Sequence, residues 1–197
     1  MTASPPLQTR RGAITAGLIT SVLISADAEA RSTGKDPSQG ITGGPDDWAF
    51  LVGRWNVRHR RLKRRLVGDT QWEDFAGTCV NWPLMDGLSN VDDNVLELPG
   101  GTYRGVGVRA FNAETRQWSI WWIDSRLGGM DPPVRGGFKD GIGVFQGADT
   151  HEGRPIIARF RWSEITASTA KWDQAFSTDG GKIWETNWLM QFTRAAA

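Results

Sequence analysis

His59 and Arg61 stand two residues apart in the run Trp55-Asn56-Val57-Arg58-His59-Arg60-Arg61. In a β-strand that spacing puts both side chains on one face, and if Trp55 points inward, Val57, His59 and Arg61 point inward with it. An imidazole titrates near neutrality, so His59 could pass a proton to and from a bound molecule. The guanidinium of Arg61 could hold a carboxylate or an enolate oxygen. Such groups are costly inside an apolar shell unless they are paired. The bland alternatives are a core acid that pairs with both, or a bulge after Val57 that turns both outward.

Acidic partners for this pair are available. Asp124 shares a strand face with Ile120 and Trp122, and Arg126 follows on that face. His59 and Asp124 as a catalytic pair, with Arg61 or Arg126 clamping an anion, would suit isomerase, lyase, hydratase or cyclase chemistry without a cofactor. The same groups would equally suit plain recognition of an acid or a phenol. Asp92 and Asn94, in Ser89-Asn90-Val91-Asp92-Asp93-Asn94, form a second polar set, and Gln174 lies between Trp172 and Phe176 on one face. The chain carries 11 tryptophans. Trp55, Trp118 and Trp184, beside turns, are expected to be structural. Trp72, Trp122 and Trp188, with Arg61, Arg109, Arg126 and Gln174, are the expected ligand contacts, because small-molecule pockets are mostly aromatic with a few placed polar groups.

The elements that must position these residues are strands. From Trp55 onward, polar and apolar residues alternate in short runs broken by Gly, Asp, Asn and Pro, which is the pattern of a meander or barrel. The runs are 55–66, 72–80, 90–98, 102–111, 118–124, 138–145, 156–162, 171–177 and 184–193. No amphipathic helix of useful length appears, and only 46–52 reads as a short helical turn. The expected fold is therefore all-β: a single antiparallel up-and-down barrel of 8–10 strands preceded by that turn. Closing the meander removes exposed sheet edges, which favours a barrel over an open sandwich. The stretch from Ser177 to Trp184, Ser-Thr-Asp-Gly-Gly-Lys-Ile-Trp, has the form of a sialidase Asp-box, but it occurs once and reads as a hairpin turn.

Gly53-x-Trp55 at the start of the first strand, with Arg194 closing the last, resembles the signature of lipocalin and fatty-acid-binding (calycin) barrels. In those barrels the Trp plugs one end and the Arg packs across it. Together with Phe75-Ala76-Gly77-Thr78, Phe111-Asn112-Ala113-Glu114-Thr115 and Trp184-Glu185-Thr186-Asn187-Trp188, it makes the chain similar to an uncharacterised bacterial calycin-type family, distantly related to nitrobindin-like barrels. The resemblance implies a closed barrel that holds something small. Nitrobindin-like proteins bind haem through a histidine late in the chain. Here none lies beyond His151, and Asn56-Val57-Arg58-His59 replaces their glycine-rich continuation, so haem is not expected.

The paired Arg10-Arg11, the apolar run 13–24 and Ala28-Glu29-Ala30 read as an export signal over 1–30, twin-arginine-like although Ala13 stands where a bulky apolar residue is usual. A leader over 31–45 and a barrel domain over 46–197 follow, in the periplasm or secreted after cleavage near Ala30. The apolar run falls short of the roughly 20 residues of a spanning helix, so no stable membrane anchor is expected. Basic residues crowd 54–65, but an exported chain with net charge +1 meets little nucleic acid, and a solvated strand face explains them. Cys79 is the only cysteine and reads as a small buried hydrophobe. With only 2 histidines, no metal pattern is present, nor any phosphate loop, dinucleotide fingerprint or nucleophile elbow. The expectation is thus an exported, lipocalin-like binder of a small apolar or aromatic molecule, with no metal or cofactor and compatible with a homodimer. The alternative is the cofactor-free enzyme built on His59 and Asp124.

Overall fold

Period-two burial is clearest in β1 (Gly53–Leu62), where Trp55, Val57 and His59 are buried and Arg54, Asn56, Arg58 and Arg60 are exposed. The computed structural model describes residues 38–196. The expected export signal and the first part of the leader lie outside the described residues. After β1 come β2 (Trp72–Leu84), β3 (Ser89–Leu98), β4 (Gly101–Asn112), β5 (Gln117–Asp124), β6 (Val134–Lys139), β7 (Ile142–His151), β8 (Arg154–Ser163), β9 (Thr169–Ser177) and β10 (Glu185–Arg194). Each pairs antiparallel with its neighbours in sequence, and β1 pairs with both β2 and β10, so the 10 strands close into an up-and-down barrel. Closure leaves no open sheet edge.

One end is sealed by aromatic packing. The 3-10 turn Ala49–Leu51 lies under the barrel, and the Trp55 indole donates to the Leu51 carbonyl at 2.7 Å. Arg194, opposite Trp55 in the ladder, lays its guanidinium 4.1 Å from the centre of that ring. It also donates to the carbonyls of Phe50, Val52 and Ala167 at 2.7–2.8 Å. Gly53 is required here: its φ is +111°, and a Cβ would stand 3.0 Å from Arg194 Nη1. Trp48, Trp118 and Phe145, all nearly inaccessible, complete the plug.

The other end carries the connections 63–71, 125–133 and 178–184. In the last of these, Asp179 Oδ1 accepts the N–H groups of Lys182 and Ile183, both at 3.0 Å, and Trp184 donates to the Gly181 carbonyl at 2.9 Å. This is a hairpin turn, as a single copy of that sequence suggests.

Three sequence expectations are corrected. The run 138–145 is two strands, because Asp140 and Gly141 both take left-handed backbone angles (φ 52° and 76°) and turn the chain between β6 and β7. Asp-Gly is the residue pair that a two-residue hairpin favours. The first strand ends at Leu62 rather than 66: Leu66 has φ 60°, and its N–H donates to the Glu185 carboxylate at 2.8 and 3.0 Å. The helical turn over 46–52 shrinks to the single turn Ala49–Leu51.

The wall is not uniform. β5 meets β6 only through Trp118, Ile120 and the residue between them. Beyond Ile120 the 125–133 segment takes over, through an Ile123–Met130 bridge and the Asp131 N–H on the Trp122 carbonyl at 2.9 Å. In β10 a bulge between Thr186 and Trp188 shifts the register, and Asn187 becomes fully buried.

Candidate ligand-binding site

Above the plug the inward residues leave a chamber of about 90 Å³. Its apolar wall is built chiefly from Trp122 on β5, Trp162 on β8, Trp172 on β9 and Trp188 on β10. Strand alternation sends these indoles inside, and Trp172 and Trp188 meet edge to face, 5.8 Å between centres. Trp122 fits because residue 105, across the ladder from Asp124, is glycine: a Cβ there would stand 2.0 Å from the Trp122 ring.

The polar wall comes from β3 and β4. Asp92 receives the Arg109 Nη1 donor, the Asn94 amide and the Gly107 N–H, the last at 3.0 Å. Arg109 also donates to Asn90 Oδ1 at 3.0 Å, and Asn81 donates to the same oxygen at 3.0 Å. Asp92 and Arg109 are 2 % and 6 % exposed, so this is a buried ion pair held by amide neighbours. Arg109 also stacks on Trp48, 4.4 Å from its ring centre. Gln174 faces the chamber from β9 and donates to Asn187 Oδ1 at 2.9 Å. Asp131 reaches the chamber from the 125–133 segment, and burial, with the charges of Asp149 and Asp124, raises its pKa above the usual carboxylate value. Burial and the nearby Asp92 push the Cys79 thiol well up, which leaves it an inert part of the wall.

Arg109, Trp122, Gln174 and Trp188 therefore line one chamber, with Asp92 and Asn94 beside them. The other expected site residues do not. His59 is buried behind Trp188, whose indole donates to His59 Nδ1 at 3.3 Å, and it stacks on Phe75 with 4.6 Å between centres. Burial, helped by the Arg61 charge, lowers its pKa to about 4, so it is neutral near pH 7. Arg61 pairs with Glu73 at 2.6 Å and lies 5.3 Å from the rings of Phe75 and Trp188.

The expected His59–Asp124 pair is not formed. Among the described residues no hydrogen bond or ion pair joins the two, and β2, β3 and β4 separate their strands around the wall. Asp124 instead takes Arg126 in a two-pronged ion pair at 2.6 and 2.9 Å. Burial works against its ionisation, but the Arg126 contacts outweigh it and hold the pKa below the usual value. Arg126 covers the Tyr103 ring at 3.7 Å. Trp72 is also corrected: Phe75 and Glu73 set the inward phase of β2, so Trp72 faces outward, under the Arg60 guanidinium at 5.5 Å.

Asn81, Asn90 and Asp131 were missed. Asn81 lies two residues beyond Cys79 and Asn90 two before Asp92, so alternation alone placed them on the inner face. Asp131 sits in a Gly-Met-Asp-Pro-Pro loop, and no periodicity marks it. Among the described residues no group of three or more His, Cys, Asp or Glu side chains is placed to hold a metal ion.

No protein-family model matches this chain, and no curated protein does. Solved structures match at the level of fold. The S-type phycobiliprotein lyase from Guillardia theta is 14% identical with a TM-score of 0.51, covering 76% of this chain and 91% of that one. At that identity the likeness is one of fold alone, shared with this closed antiparallel barrel. Weaker likenesses are the DFHBI-bound EF1p2_mFAP2b (13% identity, TM-score 0.43, 77% and 98% covered) and a DUF3598 protein of unknown function from Nostoc punctiforme (12%, 0.42, 75% and 48%).

Proposed function

We propose that this barrel binds a compact, largely apolar or aromatic molecule in its interior chamber, and that it does so without turnover. The observation that carries this reading is the chamber itself, four indole faces opposed to the Asp92–Arg109 wall. A dry engineered cavity of about 150 Å³ takes benzene, and drug-sized ligands need about 300–1,000 Å³. At about 90 Å³ this chamber is smaller than that benzene cavity, so its guest is no larger than a single ring and enters only as the walls move apart. The similar barrel from Guillardia theta is a phycobiliprotein lyase; at that identity the likeness carries the fold alone, and the ligand reading rests on the chamber.

The enzymatic alternative gains nothing from the geometry, since His59 is neutral, stands behind Trp188 and reaches no carboxylate among the described residues. Titration with toluene and phenol, read by tryptophan emission and thermal melting, tests the proposal. At least one probe should raise Tm as mass action requires. No response to any of them, together with no bound mass in native mass spectrometry of gently purified protein, overturns it.

A further inference from the structure

The chamber carries one negative charge that the chain leaves unmatched. Three charged side chains line it, Asp92, Arg109 and Asp131. Asp92 and Arg109 cancel in their buried ion pair. Asp131 has no ion-pair partner and accepts no hydrogen bond among the described residues, and the charges that act on it, Asp149 and Asp124, share its sign. Together with burial they raise its pKa. Asp124 is already held by Arg126, whereas Asp149 accepts only the N–H of Thr150 among the described residues. The Asp131 side chain is half-buried, and neither of its oxygens is sealed. The indoles of the chamber lack a cation too. Elsewhere arginines cover tryptophan rings: Arg109 on Trp48, Arg194 on Trp55, Arg60 on Trp72, Arg159 on Trp184 and Arg61 on Trp188, at 4.1–5.5 Å. Of the rings that line the chamber, Trp122, Trp162 and Trp172 have no such cover among the described residues. An indole face attracts a cation more strongly than any other side-chain ring.

We infer that the ligand is a small organic ammonium ion, with its apolar body among the chamber indoles and its charge beside Asp131. This rests on the chamber being the binding site and names the class of molecule it takes. One group then answers both needs, meeting the unmatched carboxylate and lying against indoles that no arginine covers. The negative potential of Asp149 nearby raises the local concentration of cations. An inorganic cation fits poorly. Calcium and magnesium take several oxygen ligands, and among the described residues no three acidic, His or Cys side chains gather to hold one. An anionic guest would add a second unmatched carboxylate beside Asp131. A neutral guest leaves that charge as it stands.

The test compares tert-butylammonium, tert-butanol and isobutyrate by calorimetric titration of the whole protein at pH 7. The first two share a skeleton and differ in a charged ammonium group against a hydroxyl. The ammonium is expected to bind about tenfold more tightly, the scale of a desolvated cation–π contact. Asp131→Asn keeps the shape of the side chain and removes its charge. It should cut tert-butylammonium binding about tenfold and leave tert-butanol within about twofold. Should the variant not fold, the comparison on the natural chain decides. Equal affinities for the ammonium and the alcohol show that the chamber holds apolar bodies whatever their charge, which overturns this inference and leaves the binding reading standing. Tightest binding of isobutyrate overturns the cationic class. An ammonium preference unchanged in Asp131→Asn overturns the placement of the charge at that carboxylate. Binding of none removes the chamber as a site and this inference with it.

Discussion

His59 carries the plainest pH dependence at the scale of single residues. Its folded pKa of about 4 lies below the usual 6.5, because burial and Arg61 disfavour the imidazolium. Between those values the unfolded chain binds the extra proton, so stability is full above about pH 6.5 and falls as pH drops toward 4. The loss attributable to this residue is roughly 3 kcal/mol. Urea unfolding between pH 7.5 and 4.5 should show it, and His59→Gln should flatten that part of the profile. An unchanged profile in the variant would contradict the assignment. The inward phase of β1 was legible because its alternation is unbroken from Trp55 to His59. The partner of His59 was not, since Trp188 lies 129 residues away and comes alongside only through the β1–β10 ladder. Trp72 misled for a related reason: its aromatic character suggested a pocket, while the phase set by Phe75 and Cys79 already placed it outside.

Within the β3–β4 ladder, Asp92 and Arg109 act as a unit. Removing Arg109 strands a buried carboxylate, and breaking such pairs costs about 3–5 kcal/mol. Arg109→Met should therefore destabilise by that amount in equilibrium unfolding at pH 7. The double variant Asp92→Asn with Arg109→Met should regain about 1–3 kcal/mol of it, since the stranded charge goes too. Additive losses would mean the pair is not coupled. Both residues were visible as polar entries in alternating strands, but only the pairing of Asp92 with Gly107, two residues before Arg109 on the same face, brings them within reach. The turn that divides β6 from β7 was readable at Asp140-Gly141. The bulge at Asn187 was not, because an extra residue in a ladder changes nothing in local composition.

At the scale of the molecule, Gly53, Trp55 and Arg194 announced closure, and alternation announced an all-β meander of about the right strand number. The size of the chamber could not be read, as it depends on how the large side chains of opposite walls meet. Nor could the short contact between β5 and β6, where the 125–133 segment replaces a ladder. That seam has a consequence for traffic. A cylinder of continuous hydrogen bonds opens only by breaking many at once, but a doorway flanked by a single bridge and one backbone bond at Asp131 can part alone. Since Asp131 and Trp122 also line the chamber, a guest would pass sideways between them, leaving the sealed base undisturbed. Amide hydrogen exchange should accordingly be faster over 121–133 than in β7 and β8, and slow once a tight guest is lodged; uniform protection around the wall would close that door.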